Sequence, residues 1–419
     1  MTVLRLGWVS RDGRLLLLAR LLRTFGYGYL AVVLGLYLAE LGLSALVIGL
    51  VVAAAIAGSA AMTVAWSLAA DRFGRRRTVM TMALLMTVGG ILFAIGSDPW
   101  LLVLAAFTGT ISATSSEVGV FNTVDQAVLP QTTAPERRTW AFALYGLVGN
   151  LSQAAGALFA GSVGVFAGLG LQGADAYRPL FALYAVLGLA NLALFALLSR
   201  SVELVRVEGE RRFIGLHRSR GAVARLSALF GLDAFAGGFV VLALVAYWFN
   251  LRWGLSAETL GVVFFWVGVV SALSFLAAGW LAGRFGLLNT MVFTHLPSNV
   301  LLMLVPLMPT AWLAVALFLA RMSISQMDVP TRQSYSMAIV DPDERTATAG
   351  ITNVARSIAT AVSPPLAGYA FSVAALGVPF FLAGGLKIVY DLLIWRTFRR
   401  VHPPEEGARR GRPTEAIEV

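Results

Sequence analysis

The sequence predicts an all-α membrane protein with twelve transmembrane helices in two pseudo-symmetric six-helix bundles and both termini in the cytoplasm. Three observations carry this. Apolar residues make up 58% of the 419 and charged residues only 13%, with a mean hydropathy of +0.78, where an ordinary soluble domain carries roughly 25% charged residues. Apolar runs of the roughly 20 residues needed to cross hydrocarbon recur between short polar breaks. The second half of the chain also repeats landmarks of the first.

The runs lie at approximately 15–38, 43–70, 78–97, 100–126, 139–168 and 178–200, then at approximately 223–250, 257–283, 289–308, 311–337, 346–372 and 378–398. The organisation follows: an N-terminal bundle over roughly 1–200, a charged linker over roughly 201–222, a C-terminal bundle over roughly 223–400 and a flexible polar tail over roughly 401–419. The opening residues are too polar for a signal peptide, so the first helix is expected to serve as its own insertion signal.

Topology is written in the arginines. The chain has 31 of them and a single lysine, Lys387, for a net charge of +10. Arg5, Arg11 and Arg14, then Arg72 to Arg77, Arg137 and Arg138, the linker arginines and the tail all fall on one side. The opposite breaks offer only Arg178 and Arg252, beside Glu40, Asp98, Asp175 and Glu258. Positively charged loops stay in the cytoplasm, which places both termini there. Eight tryptophans near span ends, Trp8, Trp66, Trp100, Trp140, Trp253, Trp280, Trp312 and Trp395, fit rings seated at the membrane interface.

Other chemistry is absent. There is no cysteine, the histidines at 217, 295 and 402 lack ligand spacing, and no nucleotide loop or nucleophile with a base stands at readable spacing. No cofactor, metal, nucleic-acid partner or enzymatic activity is expected. The expected partners are the lipid bilayer, a small-molecule substrate and protons, and the expected state is a monomer.

The halves superpose by sequence. Gly42-Leu43-Ser44 matches Gly254-Leu255-Ser256 and Arg72-Phe73-Gly74 matches Arg284-Phe285-Gly286, both at an offset of 212. An offset of 211 pairs Ala127 with Ala338 and Glu117 with Asp328, and Pro135-Glu136-Arg137 matches Asp343-Glu344-Arg345 at 208. With Asp71, Arg72, Gly74, Arg75 and Arg76 after the second span, the chain resembles the major facilitator superfamily over nearly its whole length. Its signature there is Gly, three residues, Asp-Arg, one residue, Gly, then Arg or Lys; Ser67 replaces the first Gly. The resemblance implies a secondary transporter in which two bundles rock, with spans 1, 4, 7 and 10 along the path.

Asp71 closes span 2, where the helix dipole already carries partial negative charge, so it should be satisfied elsewhere. The family pattern implies that it meets the N-terminus of span 11 near Thr346 as a latch with Arg72, Gly74 and Arg75. Arg75 is then available to Asp125. The alternative is a plain topology anchor. The second copy has Gly283, Leu287 and Leu288 at the matching places, so a latch is expected on one side only.

Charged residues inside spans are costly and therefore worth singling out. They are Arg20 and Arg23 in span 1, Glu117 and Asp125 in span 4, Asp233 in span 7, Arg321, Asp328 and Arg332 in span 10, and Arg356 in span 11. Glu117, Asp233 and Asp328 are proton-coupling candidates, since a poorly hydrated carboxyl can take up and release a proton near neutral pH. Arg23, Tyr27, Arg321, Gln326 and Arg356 are candidates for binding substrate. Each charged group could equally be a static ion pair.

Together these features predict proton-coupled alternating-access transport of a small organic solute across a prokaryotic inner membrane, with export favoured. An organic-anion symporter or uniporter using Arg23 and Arg321 is the alternative within transport; a non-transporting membrane sensor or lipid-binding protein of the same fold is the alternative outside it. The latch makes a prediction. Asp71→Ala is expected to abolish flux in proteoliposomes while leaving membrane insertion intact, and full activity in that variant would contradict it.

Overall fold

The computed structural model describes residues 9–114, 119–134, 137–203, 219–340 and 344–399, apart from the side chains at 67–72, 139, 276 and 346. No β-strand occurs among the described residues. In chain order the helices are α1 (Arg11–Glu40), α2 (Ala45–Phe73), α3 (Arg75–Ile95), α4 (Pro99–Phe107), α5 (Val120–Val128), α6 (Arg138–Phe159), α7 (Ser162–Gly168) and α8 (Arg178–Ala196). They continue as α9 (Arg220–Gly238), α10 (Leu242–Trp253), α11 (Ala257–Phe285), α12 (Leu287–Leu304), α13 (Ala311–Ser325), α14 (Asp328–Ala338), α15 (Arg345–Ser372) and α16 (Val378–Phe398). The expected linker beyond residue 203 and the expected tail lie outside the described residues.

Ten helical stretches among the described residues are long and apolar enough to cross a membrane. The other two expected spans take a different form. The one expected at 100–126 is interrupted as α4 and α5, and the one at 346–372 is α15, continuous but made polar by residues such as Thr348, Thr352 and Arg356.

Contacts divide the chain into two compact units, Met1–Val207 with Val241–Gly268 and Glu208–Val240 with Val269–Val419. Residues 241–268, expected in the second bundle, therefore group with the first. Glycines explain how: a Cβ on Gly35 of α1 would lie 2.8 Å from the Ala243 carbonyl oxygen, and one on Gly261 of α11 would lie 2.6 Å from that of Ala157. Only bare backbone allows α10 and the start of α11 to lie this close. The α1/α6 crossing uses the same device, since Gly28 faces the Gln153 carbonyl and Gly156 faces the Phe25 carbonyl with no room for a side chain on either. Between apolar helices in lipid such close backbone approach supplies the attraction that hydrophobicity cannot.

Four expected spans are broken. Gly109 (φ 72°) follows the end of α4 and Gly119 (φ 120°) caps the start of α5. The carbonyls this frees are satisfied inside the unit, that of Thr110 by the Tyr184 hydroxyl and that of Ala113 by the Ala243 N–H at 3.1 Å, as irregular backbone at membrane depth requires. The α13/α14 break falls at Gln326 and Met327. Pro330 explains it, because its ring would clash with the Gln326 carbonyl in a continuous helix, whereas in the first turn of α14 its missing N–H is no loss. The expected spans at 139–168 and 223–250 break after Phe159 and after Gly238.

The sequence repeat reappears in the backbone. Gly42 and Gly254 end helices at φ 77° and 64°, and Gly74 and Gly286 start helices at φ 98° and 88°. At Gly74 an acid completes the cap. The Glu203 carboxylate accepts the backbone N–H groups of Arg75 at 2.7 Å and Arg76 at 3.2 Å, and a Cβ on Gly74 would lie 3.1 Å from Glu203 Oε1. A negative group at a helix N-terminus meets both the free N–H donors and the dipole. Glu203→Ala is expected to cost about 1–2 kcal/mol as a lost cap, and Gly74→Ala about 1–2 kcal/mol from its left-handed backbone. Thermal unfolding in detergent reads both, and unchanged melting in both variants would contradict the joint.

Candidate functional site

Each unit buries its own polar cluster. In the first, Arg23 of α1 meets Asp125 of α5 at 2.6 Å with both side chains fully buried. Tyr145 of α6 donates to the same carboxylate oxygen at 2.9 Å, and Asn191 of α8 accepts from Arg23 at 3.2 Å. Phe121 and Phe195 lie against the guanidinium, 4.5 and 5.5 Å away. Arg20, one turn earlier, stacks on the Tyr145 ring at 3.6 Å. Four helices thereby meet at one buried Arg23–Asp125 pair, with two aromatic rings against the guanidinium.

The second unit centres on Asp233 of α9. Lys387 of α16 donates to its Oδ1 at 2.5 Å, while Oδ2 takes Arg332 of α14 at 3.2 Å and Arg356 of α15 at 3.0 Å. Arg332 also holds Asp328, four residues earlier on its own helix, at 2.7 Å. Two carboxylates thus face three permanent cations. Beside them Asp391, on α16 one turn after Lys387, accepts from Asn299 of α12 at 2.9 Å and lies 2.9 Å from Nδ1 of His295.

Arg321 of α13 stands apart. Its Nη1 contacts the Met322 sulfur at 3.1 Å, its ring neighbour is Phe318 at 5.9 Å, and its buried Nε has no partner. It feels the charges of Asp328 and Asp233 but is bonded to neither. Among the described residues, then, no carboxylate is bonded to this mid-span guanidinium, which stands just before the Gln326 break.

Set against the expected residues, the structure brings together Asp233, Asp328 and Arg356, and pairs Arg23 with Asp125. Asp125 does not meet Arg75: Arg23 occupies it, and Arg75 is engaged through its backbone by Glu203 while its Nη1 has no partner. Arg23 and Arg321 belong to different units, and Arg23 is bonded to Asp125. Tyr27 is buried in α1 with its ring 6.3 Å from that of Tyr184. Gln326 caps α13 at the break. Gly74 takes the positive φ expected of it. The side chains of Asp71 and Arg72, and Glu117 entirely, lie outside the described residues. The reading of span charges missed Lys387, Asp391 and His295, although a lysine and an aspartate one turn apart inside an apolar run meet the criterion that found the others.

Three kinds of similarity bear on this architecture. The family model described as Major Facilitator Superfamily matches residues 16–364 and, again, 226–418. An uncharacterized membrane protein of Saccharomyces cerevisiae, YJR124C, is 26% identical over 418 residues, covering 92% of this chain and 93% of its own. The crystal structure of the nucleoside transporter NupG has a TM-score of 0.73 at 11% identity, covering 93% of this chain and 100% of its own. A D-xylose-proton symporter gives 0.70 at 16%, with 91% and 97% covered. A bacterial homolog of the human lysosomal transporter Spinster, inward-facing and unoccupied, gives 0.71 at 15%, with 93% and 98% covered. At these identities the solved structures show the fold, and the family model covers both halves of the chain. This multi-pass membrane protein belongs to the major facilitator superfamily of transporters.

Proposed function

We propose that the chain is a secondary active transporter working by alternating access, that its solute is a small organic anion, and that Arg321 holds the anionic group. One observation carries this: among the described residues no carboxylate is bonded to the mid-span guanidinium of Arg321, and its buried Nε has no hydrogen-bond partner. A charge at membrane depth needs compensation, and here an anion arriving from outside the protein would supply it. The planar guanidinium fork suits a carboxylate or phosphate, which it can hold through two parallel hydrogen bonds. Arg356, 26% exposed in its side chain, is the most open cation of the Asp233 cluster and is a second contact in this reading. Arg23 is fully buried in its ion pair, so the reading gives it a structural role.

The nucleoside transporter and the xylose symporter that share the fold are, by name, carriers of neutral polar solutes. Such a solute would leave Arg321 uncompensated, which favours the anion. Proton coupling and export belong to the same proposal, as do a prokaryotic inner membrane, cytoplasmic termini, a monomeric state, and bundles over roughly 1–200 and 223–400 as the moving parts. Of the carboxyl groups expected to carry the proton, Asp233 and Asp328 sit in ion pairs with permanent cations, and Glu117 keeps its place as a candidate. The latch at Asp71 keeps its place too.

A thermal-shift screen of the purified full chain tests the solute class. Carboxylates, phosphates and sulfonates are compared with neutral sugars, nucleosides and amines at two pH values. Stabilisation by an anion is expected, about 2.7 kcal/mol at a hundredfold excess over Kd, and Arg321→Gln is expected to remove it. Stabilisation by neutral solutes, unchanged in that variant, would contradict the reading. Flux under an imposed pH gradient in proteoliposomes then reads coupling and direction; stabilisation without flux would favour a sensor.

A further inference from the structure

Three of the buried carboxylates described above are matched by side chains that are always charged: Asp125 by Arg23, and Asp233 and Asp328 by arginines and Lys387. Asp391 is different. It is fully buried, its amide partner is neutral Asn299, and the cation available to it is His295, itself 3% exposed. Histidine is the side chain whose ordinary titration lies near neutral pH. The charge balance at Asp391 therefore depends on a proton, whereas the balance at the other three does not.

We propose that His295 and Asp391 form a proton-binding site of this protein, distinct from the Asp233 cluster and coupled to it through Lys387. The geometry is that of a dyad. His295 Nδ1 lies 2.9 Å from Asp391 Oδ1, so with a proton on Nδ1 the ring donates to the carboxylate; Asn299 Nδ2 fixes the other oxygen at 2.9 Å. The site fills by one elementary step: a proton from solution bonds to Nε2, the neutral imidazole becomes imidazolium, and no other bond changes. The pair then passes from net negative to neutral.

Coupling follows from helix register. Lys387 and Asp391 stand at i and i+4 of α16 and so share a face, with Lys387 bonded to Asp233 and Asp391 to His295. While the dyad is negative it competes with Asp233 for the ammonium; once protonated it does not. The charged and titratable groups facing the dyad are Lys387 and Tyr390 on α16 and Asp233 on α9, with Arg332 and Asp328 on α14 acting on Tyr390 and Arg321 on α13 acting on Asp328. The Tyr390 ring stands edge-on to His295 at 6.2 Å. A proton at the dyad can thus alter the cluster that holds Arg356 without occupying the solute's place.

The link to transport rests on the proposed function; the proton site does not, and its test needs no solute. The full chain contains three histidines, at 217, 295 and 402. In protein labelled with ¹⁵N-histidine and held in nanodiscs, His295→Gln assigns the buried imidazole. Its ring nitrogens are expected to take on the doubly protonated signature on acidification, and Asp391→Asn, which removes an anion, and Lys387→Gln, which removes a cation, are each expected to change that response. If Asp391→Asn does not fold, the change with Lys387→Gln decides. An imidazole that stays in one neutral tautomer on acidification, or a response that neither variant changes, would overturn the site. A titrating imidazole in a chain that moves no solute would instead overturn the transporter reading alone.

Discussion

The cost of an uncompensated charge at membrane depth governs this structure. Taking one ion out of water costs several kcal/mol even after relaxation, so each unit must neutralise what it buries. The first does so with Arg23 and Asp125, sealed by aromatic rings. The second spreads the task over Asp233, Asp328, Arg332, Arg356 and Lys387. Helices meet at these clusters: α1, α5, α6 and α8 at the Arg23–Asp125 pair, and α9, α14, α15 and α16 at Asp233. What the clusters leave over are Arg321 and the histidine-balanced Asp391, the places of the proposed anion and the proposed proton.

Backbone polar groups obey the same constraint. A helix broken at membrane depth must find other partners for its carbonyls, and the α4/α5 break finds them in the Tyr184 hydroxyl and the Ala243 N–H. Its counterpart, the α13/α14 break, falls in the expected span that the repeat pairs with the one holding α4 and α5. The related halves thus share interrupted central helices but not the cause of the interruption, positive-φ glycines in one and Pro330 in the other. Interrupted helices near the middle of related halves are a recurrent setting for binding sites in secondary transporters.

Much of this was legible in the sequence because hydrophobic length and helix-ending glycines are local properties. The spans at 15–38, 43–70, 257–283 and 378–398 became α1, α2, α11 and α16 with ends shifted by a few residues, and Gly74 and Gly286 took the backbone their repeat implied. The breaks were less legible, since periodicity is silent about where an apolar run kinks, although Pro330 and the paired Gly237 and Gly238 were available signals. Charge pairing was the least legible. That Asp125 meets Arg23 and not Arg75 depends on which face of α1 turns inward, a matter of tertiary packing. Lys387 and Asp391 required only the recognition that a mid-span charge needs a partner. His295 required its partner first, because a lone histidine in an apolar helix carries no signal by itself.

If burial of matched charge within each unit is the controlling constraint, a double-mutant cycle on Arg23 and Asp125 tests it most directly. Unfolding of the full chain in micelles would be followed for Asp125→Leu, Arg23→Met and the pair. Breaking the pair from one side is predicted to cost about 3–5 kcal/mol, and removing both charges together to recover most of that loss. Single losses that simply add in the double variant would contradict the account.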